Sequence, residues 1–323
     1  MTRAPALLLL AGLLAVAPAR AGTFSFIVEN DLFADTDQHY TNGLRMVWAA
    51  GPDSRPPPWA MRLARAVPGF PDQGSPRWGW ALGHSMFTPS DITLVEPPAG
   101  ERPYAGWLYL TVAMAQVSGR RLDQVGITGG VVGPASMAEQ SQRFVHRLIG
   151  SDTPRGWDSQ LRNEPGLVLT WLRSWGSLAS AELGPTTIDL TPHVGAALGN
   201  VFTYGNAGAT VRWGNRLPAD FGPPRVQPGL PGSGDFSPGE DFGWYLFAGI
   251  EGRAVARNLF LDGNTFRSGP SVDRRPFVGD LQAGIVLDWP RLRLSYTHVM
   301  RSREYEGQPA NDDFGAFVAM VKF

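Results

Sequence analysis

The 323-residue chain has no cysteine, one lysine (Lys322) and few charged residues. The absence of cysteine excludes disulfide bonds, thiolate metal ligands and a cysteine nucleophile. Charged residues make up 18% of the sequence, and 43% of it is hydrophobic. This composition excludes a disordered chain, because disorder requires low hydrophobicity and high charge. The net charge of -1 provides no general attraction to nucleic acid.

Long apolar runs are missing once the first 21 residues are set aside. These residues have the features of an export signal, because Arg3 precedes a Leu/Ala-rich stretch over Pro5–Ala17 and Ala19-Arg20-Ala21 matches a small-x-small cleavage site. The apolar run is too short to favour the alternative, an uncleaved anchor helix. We therefore expect a signal peptide over 1–21 and a mature domain over 22–323.

Period-two alternation of side chains dominates the rest of the sequence. In the last segment, Phe317, Ala319 and Val321 fall on one face of an extended strand and Val318 and Met320 on the other. An alternating segment that ends on Phe resembles the C-terminal strand of bacterial outer-membrane barrels. Similar segments of about ten residues recur between turns, which is the pattern of a transmembrane β-barrel. A soluble secreted β-sandwich is the alternative, but the small strand-interior residues and many aromatics favour the barrel.

The predicted fold is all-β: a 12-stranded antiparallel transmembrane barrel with a short helix in an extracellular loop. An even number of strands returns both termini to the periplasmic side. The Pro- and Gly-rich stretch 216–240 predicts a loop, as does 51–77 apart from a short helix around Trp59–Ala66. The predicted strands lie near 23–30, 41–50, 78–87, 105–117, 122–132, 166–177, 185–198, 205–214, 242–256, 276–289, 291–301 and 314–323.

The first three outer loops, 31–40, 88–104 and 133–165, carry three polar clusters that this topology brings to one rim. Convergence of polar groups is what a site needs, although outer loops are polar in any barrel. In the third loop, Ser136 and Glu139 match a capping box and Gly150 a C-terminal stop, so a helix is expected between them. Glu139, Gln142 and His146 lie on one stripe of that helix. Apolar contacts are expected from Phe144, Val145, Leu148 and Ile149.

Five motifs in a fixed order carry a resemblance to a known family. They are Glu29-Asn30-Asp31-x-Phe33, Tyr40-Thr41-x-Gly43, Phe87-Thr88-Pro89-Ser90-Asp91, Arg102-Pro103-Tyr104-Ala105-Gly106-Trp107, and Gly133-Pro134 followed by Gln142-x-x-x-His146-Arg147-x-Ile149-Gly150. Together they resemble the lipid A 3'-O-deacylases of Gram-negative outer membranes, over about 23–150. The resemblance implies a 12-stranded barrel that hydrolyses the 3'-linked acyloxyacyl ester of lipid A, with a divalent cation, typically calcium, and a site on the extracellular side.

The resemblance also implies residue roles. His146 corresponds to the histidine proposed as general base towards water. Asn30 and Asp31 correspond to the Asn-Asp pair at the cation site, Thr41 to the hydroxyl residue that starts strand two, and Gln142 to the glutamine one turn before the histidine. The five are the predicted catalytic residues, with Asn30 and Asp31 also the predicted metal ligands.

Two predicted substrate-binding residues depart from the family pattern. Asp152 stands where the best-known members carry a glutamate that is one methylene longer. Those members also use a lysine in the second outer loop, which has no counterpart here, because the only lysine is Lys322. Arg102 is predicted to supply that charge towards lipid A within lipopolysaccharide. The oligomeric state is left open.

The residue types agree with ester hydrolysis by water. Gly83-His84-Ser85-Met86-Phe87 lacks the second glycine of a G-x-S-x-G elbow. A water molecule activated by His146 is then the economical nucleophile. A hard cation held by oxygen atoms of Asn30 and Asp31 would polarise the ester carbonyl.

Other interpretations stay open on the sequence alone. The outer-loop arginines either pair with lipid A phosphates or only solvate the loops: Arg102, Arg143, Arg147 and Arg155. A passive pore is the first alternative for the whole chain. A phospholipase is the second, for which Ser295 and His298 are the nearest Ser–His pair, on opposite faces of a strand.

Overall fold

The computed structural model of the protein describes residues 22–30, 39–51, 53–218, 220–222 and 241–323. The predicted signal peptide and most of the predicted 216–240 loop lie outside these residues. The strands of the described part are β1 (Gly22–Asn30), β2 (His39–Ala50), β3 (Ser75–Thr88), β4 (Ala105–Ser118), β5 (Arg121–Val132), β6 (Glu164–Trp175), β7 (Ala179–Leu183), β8 (Thr186–Gly199), β9 (Phe202–Asn215), β10 (Gly243–Asn258), β11 (Phe277–Asp288), β12 (Leu292–Arg301) and β13 (Asp312–Lys322).

The strands form one antiparallel sheet that closes on itself. Apart from β6 and β7, consecutive strands pair with each other, and residues 315–322 of β13 return to pair with residues 23–30 of β1. β6 pairs with the second half of β8, and β7 with the first half. β6 and β7 are therefore two parts of one barrel strand, which is interrupted where Ser177 takes a left-handed conformation. The closed barrel has the 12 predicted strands, and the interruption is the feature that alternation alone missed.

Strand alternation separates the lumen from the outer face of the barrel. In β4, Ala105, Trp107 and Tyr109 point inwards and join an apolar cluster with residues from the far side of the barrel. Gly106 and Leu110 therefore point outwards, and Leu110 is half exposed. β4 has no bulge in its pairing with β3 or β5, so side chains alternate between the lumen and the outer face along the whole strand.

Three α-helices occur in the described residues: α1 (Pro58–Arg65), α2 (Ala138–Ile149) and α3 (Leu259–Asp262). α1 confirms the predicted helix near 59–66 and α2 the predicted loop helix, whereas the single turn α3 was not predicted. No helix in the described part of the chain is long and apolar enough to cross a membrane.

The two ends of the barrel carry different connections. We call the end with connections 89–104, 133–163, 259–276 and 302–311 the site rim. The other end is the opposite rim, where Gly22 and Lys322 lie and where α1 occurs between β2 and β3. Helix α2 belongs to the site rim.

Candidate active site on the outer face of the barrel

Helix α2 lies against the outer face of the barrel, at the site rim. A Cβ atom built on the outward-pointing Gly106 would overlap the Ala138 Cβ and the Ser136 Oγ. Met86, the outward partner of Gly106 on β3, is buried in a cluster with Ala138 and Trp157. Glycine at position 106 therefore lets the start of α2 sit directly on the sheet.

The predicted capping box is wrong. Residues 134–136 form a single 3-10 turn, and α2 begins at Ala138 with the left-handed Met137 as N-cap and no side-chain cap. Ser136 is buried against the sheet, so its hydroxyl is not available to the first turn of α2. The C-terminal prediction is confirmed, because Gly150 is left-handed and its N–H donates to the His146 carbonyl.

The predicted apolar contacts of α2 are also wrong. Phe144 is 60% and Leu148 75% exposed, and Val145 and Ile149 are exposed as well. The buried side chains of the helix are Ala138, Gln142 and His146. Small and polar residues thus hold α2 on the barrel, and its apolar flank faces outwards.

The imidazole of His146 is oriented by one hydrogen bond to the chain that follows α2. Its Nδ1 lies 2.6 Å from the backbone carbonyl oxygen of Asp152. A carbonyl only accepts, so the Nδ1 atom donates and carries the proton. The neutral ring then has its basic lone pair on Nε2. This is the tautomer that a general base requires.

Gln142 lies one turn before His146 and is fixed in the same way. The indole Nε1 of Trp157 donates to Gln142 Oε1 at 2.7 Å. Because the indole is only a donor, this contact determines the orientation of the amide. The Nε2 group is buried and has no hydrogen-bond partner among the described residues. It is therefore an unused hydrogen-bond donor on the buried face of α2.

Trp157 is itself fixed by the 89–104 connection. Its ring packs on Tyr104 with centroids 4.9 Å apart. The Arg155 N–H donates to the Ile92 carbonyl and the Leu161 N–H to the Tyr104 carbonyl, both at 2.9 Å. These contacts bind the 133–163 connection to the 89–104 connection.

The 89–104 connection is braced by its own carboxylates. Glu101 accepts from the Ser90 hydroxyl at 2.8 Å and from the Tyr305 hydroxyl at 3.3 Å. Asp91 accepts from the side chain and backbone of Thr93, and these hydrogen bonds hold the pKa of Asp91 below its usual value. The Ser90 and Asp91 motif thus shapes the loop under Trp157.

Asn30 occupies the same outer face as α2. Alternation places Glu29 in the lumen and Asn30 outside, and the register aligns Asn30 with Asn42, Asn42 with Met86, and Met86 with Gly106. α2 covers the Met86–Gly106 end of this row. The sheet therefore brings Asn30 to the same wall and rim as His146 and Gln142.

Two predicted residues are described only in part or not at all. Asp31 lies outside the described residues. Thr41 is in β2, at a bulge where Tyr40 and Thr41 together face Phe87, but its side chain is outside the description. Their predicted roles stay predictions.

The structure separates Arg102 from this group. Its guanidinium lies 4.9 Å from the ring of Phe87, in the mouth of the lumen, and 3.5 Å from Glu304. It is 1% exposed. Asp152 is near His146, but what contacts the imidazole is its backbone carbonyl, and its side chain is exposed.

A metal site is not completed by the described residues. Among them, no group of three or more His, Cys, Asp and Glu side chains is placed to hold a metal ion. Asn30 supplies oxygen atoms of the type that calcium binds, but the carboxylate expected beside it, Asp31, is outside the described residues. The predicted cation therefore stays a prediction.

Sequence reasoning did not identify Trp157 or His84 as part of this site. Trp157 has no local signal, because its role depends on a loop that folds back onto α2. His84 is two residues before Met86 on β3, so alternation alone would have placed it on the outer face. It lies under the 134–136 turn, where it hydrogen bonds to the Ser136 backbone.

The alternative nucleophile pair is not assembled. Ser295 is buried in the lumen. His298 points to the outer face, 3.4 Å from Asp313. The two side chains are thus on opposite sides of β12, as predicted.

Comparisons with known proteins agree on one family. The family model described as outer membrane protein LpxR matches residues 4–323. Among solved structures, LpxR from Salmonella typhimurium is similar with a TM-score of 0.74 and 20% identity, over 93% of this chain and 100% of that one. The β domain of the Bordetella autotransporter Brka has a TM-score of 0.44 and 12% identity, over 94% and 98%. No curated protein matches the chain.

Proposed function

This chain belongs to the LpxR family of outer membrane proteins, and from that premise we propose that it is a lipid A 3'-O-deacylase. The reaction is hydrolysis of the 3'-linked acyloxyacyl ester of lipid A by water. We place the site rim on the extracellular side, where lipopolysaccharide is found. One observation carries the proposal. His146 and Gln142 lie together on the lipid-facing side of the barrel wall, and each side chain is oriented by a hydrogen bond to the 150–157 segment.

His146 is the general base of the proposed reaction. Its Nδ1 proton is committed to the Asp152 carbonyl, so Nε2 takes the proton from water as the oxygen attacks the ester carbonyl. The imidazolium that forms keeps its hydrogen bond to the carbonyl, which stabilises the positive charge. As the tetrahedral intermediate collapses, the bond between the acyl carbon and the 3' oxygen breaks and the imidazolium gives its proton to that oxygen, so that acid and alcohol are released and His146 is neutral again.

Gln142 is a donor to the developing oxyanion. Its amide orientation is fixed by Trp157, so no reorganisation is needed when negative charge forms on the ester oxygen. Asn30 and Thr41 complete the polar wall opposite α2 in this proposal. Asp31 and Asn30 would hold a divalent cation through oxygen atoms, the donors that calcium prefers, and the cation would polarise the ester carbonyl.

The apolar flank of α2 suits an acyl substrate. Phe144 and Leu148 extend from the same helix as His146 and are exposed to the outside of the barrel. A site on the outer face lets a lipid reach the base without leaving the membrane plane. The passive pore is less well supported, because the lumen contains a cluster of aromatic and aliphatic side chains.

The experiment is mass spectrometry of lipid A from a Gram-negative strain that expresses the protein. We expect a species that lacks the 3'-linked acyloxyacyl group and is absent from the empty-vector strain. An unchanged lipid A spectrum, with the barrel folded in the outer membrane, would contradict the proposal. Release of fatty acid from glycerophospholipids instead would support the phospholipase alternative.

A further inference from the structure

The second helix on the outer face, α1, lies at the opposite rim and has no part in the proposed reaction. Ala60 and Ala64 pack against Met114 and Val125. Met114 is on the same face of β4 as Gly106 and Leu110, so α1 lies against the outside of the barrel wall. A helix in this place is at the surface that the membrane surrounds.

The height of α1 on the wall corresponds to a membrane edge. Gly106, beneath α2, and Met114, beneath α1, are eight residues apart, about 26 Å along the strand and about 20 Å along the axis of a barrel with a usual tilt of ~40°. The apolar band of such barrels is about 25 Å tall. The two helices therefore lie at the two edges of the band. Outward-facing tryptophans surround α1, as in an interfacial girdle: Trp48, Trp78, Trp80 and Trp171.

The exposed side chains of α1 combine apolar and cationic groups. Trp59 is 52% and Leu63 55% exposed, and they lie one turn apart on one flank. Arg62 and Arg65 are exposed in the last turn, where Arg65 is 3.5 Å from Asp72. An apolar flank beside arginines is the pattern of helices that lie in the plane of an anionic membrane surface.

We propose that α1 is an interfacial helix that binds anionic phospholipid at the opposite rim. Trp59 and Leu63 insert beside the acyl chains, and Arg62 pairs with a phosphate headgroup, for which a guanidinium is well suited. Continuity with the lipid-facing wall and charge complementarity favour phospholipid over a soluble protein. The proposal requires the barrel in a membrane and does not require deacylase activity.

The test uses the absence of cysteine, which makes any introduced cysteine a unique label site. Leu63→Cys reports on α1, with Leu110→Cys on the exposed wall as the lipid control and Gln73→Cys in the same connection as the water control. Each full-length variant is spin-labelled and reconstituted in vesicles of phosphatidylcholine, with or without phosphatidylglycerol. Power saturation measures collisions with oxygen and with a water-soluble nickel chelate.

We expect chelate collisions at residue 63 to be several-fold fewer than at residue 73, with oxygen collisions approaching those at residue 110. Phosphatidylglycerol should reduce chelate collisions at residue 63 further, and Arg62→Gln in the same background should remove that effect. If residue 63 is as open to the chelate as residue 73 in both vesicles, α1 faces water or a soluble partner and the proposal is wrong. No effect of phosphatidylglycerol would overturn the headgroup part. A heat-modifiable gel shift confirms that each variant is folded.

Discussion

His146 and Gln142 are each oriented by one hydrogen bond, the first by a backbone acceptor and the second by a side-chain donor. Each residue uses one polar atom for a contact with the 150–157 segment, and the proposed reaction uses its other polar atom. The carbonyl of Asp152 fixes a tautomer, and the indole of Trp157 fixes an amide. Because these contacts come from the 150–157 segment, the chemistry of α2 depends on the loop that follows it.

Replacement of the base tests the first of these roles. We expect His146→Ala to insert and fold normally but to deacylate lipid A at least ~10²-fold more slowly, the scale of general base catalysis. The barrel should not change, because His146 is on α2 and in none of the barrel strands. The measurements are the lipid A mass spectrum and the heat-modifiable gel shift. Deacylation at the wild-type rate would eliminate His146 as the base.

Chelation tests the predicted cation. Excess EDTA should abolish deacylation and calcium should restore it, because a hard cation is held by oxygen ligands. Asp31→Ala should remain inactive at moderate calcium, since a charged ligand has been removed. Asp53→Ala, an exposed carboxylate in the β2–β3 connection, is the control and should behave as wild type. Full activity in EDTA would remove the cation from the proposed mechanism.

At the scale of elements, the sequence predicted the strands well and the contacts of α2 badly. Alternation depends only on which side of a strand faces lipid, so the bounds of β4 and β10 were close to those observed. The position of α2 depends on a close approach to Gly106 and on Trp157 from a later segment, and neither has a local pattern. The apolar residues of α2 were assigned to packing because the rule for soluble helices was applied to a helix on a lipid-facing wall.

The sequence predicts one shared rim for the candidate residues, and the structure places the described ones at one rim but on two different surfaces of the barrel wall. Asn30, Gln142 and His146 were grouped together, and the register and α2 place them on one wall. Arg102 is grouped with them because its loop is near, but its contacts with the Phe87 ring and Glu304 place it in the lumen mouth. Sequence distance along a loop gives no information about which side of the sheet a side chain enters.

A substitution at Gly106 tests whether close packing at this position holds α2 in place. Gly106→Ala should displace the helix, because the added methyl group would overlap Ala138 and Ser136, and deacylation should fall by ~10-fold or more, since small displacements of a base are costly. The barrel should still show its heat-modifiable shift. Gly129→Ala is the matched control, as Gly129 is exposed on the neighbouring strand with nothing within 4 Å of its added Cβ. Equal activity of the two variants would show that the position of α2 does not depend on glycine at position 106.

At the scale of the whole molecule, layers of side chains cross the lumen of the barrel, and the proposed site lies on its outer face. An aromatic layer crosses the lumen near the site rim, where Phe87 stacks on Phe260 at 4.1 Å. Below it, Asp280 receives both Arg253 and Arg301 at 2.9 Å. These layers favour the proposed site on the outer wall over a site in the lumen.

Ion conductance tests the filled lumen directly. We expect the protein in a planar lipid bilayer to give no steady single-channel current, because the aromatic and charged layers occupy the path between the rims. A porin reconstituted in the same bilayer is the positive control. Stable, voltage-independent openings would show that the layers move aside and would revive the passive-pore interpretation.

The last layer closes the lumen at the opposite rim and includes a residue from a connection. Asp220 lies between Arg212 and Arg293 at 2.5 and 2.6 Å, and all three are buried. Asp189 and Asp288 accept from the same two arginines. The carboxylate of Asp220 helps to neutralise these two buried guanidinium groups. Removing one partner of a buried ion pair lowers the free energy of unfolding by about 3–5 kcal/mol.

Asp220→Ala should therefore destabilise the whole barrel, although Asp220 is in no strand. We expect the temperature of the heat-modifiable gel shift to fall and the urea midpoint to decrease. Asp241→Asn is the matched control in the same connection, because its pair with Arg216 is exposed and contributes little. Deacylation by the surviving folded fraction should be unchanged, since the layer is at the far end from His146. If the two variants unfold at the same temperature, Asp189 and Asp288 alone satisfy the buried arginines and the connection does not stabilise the barrel.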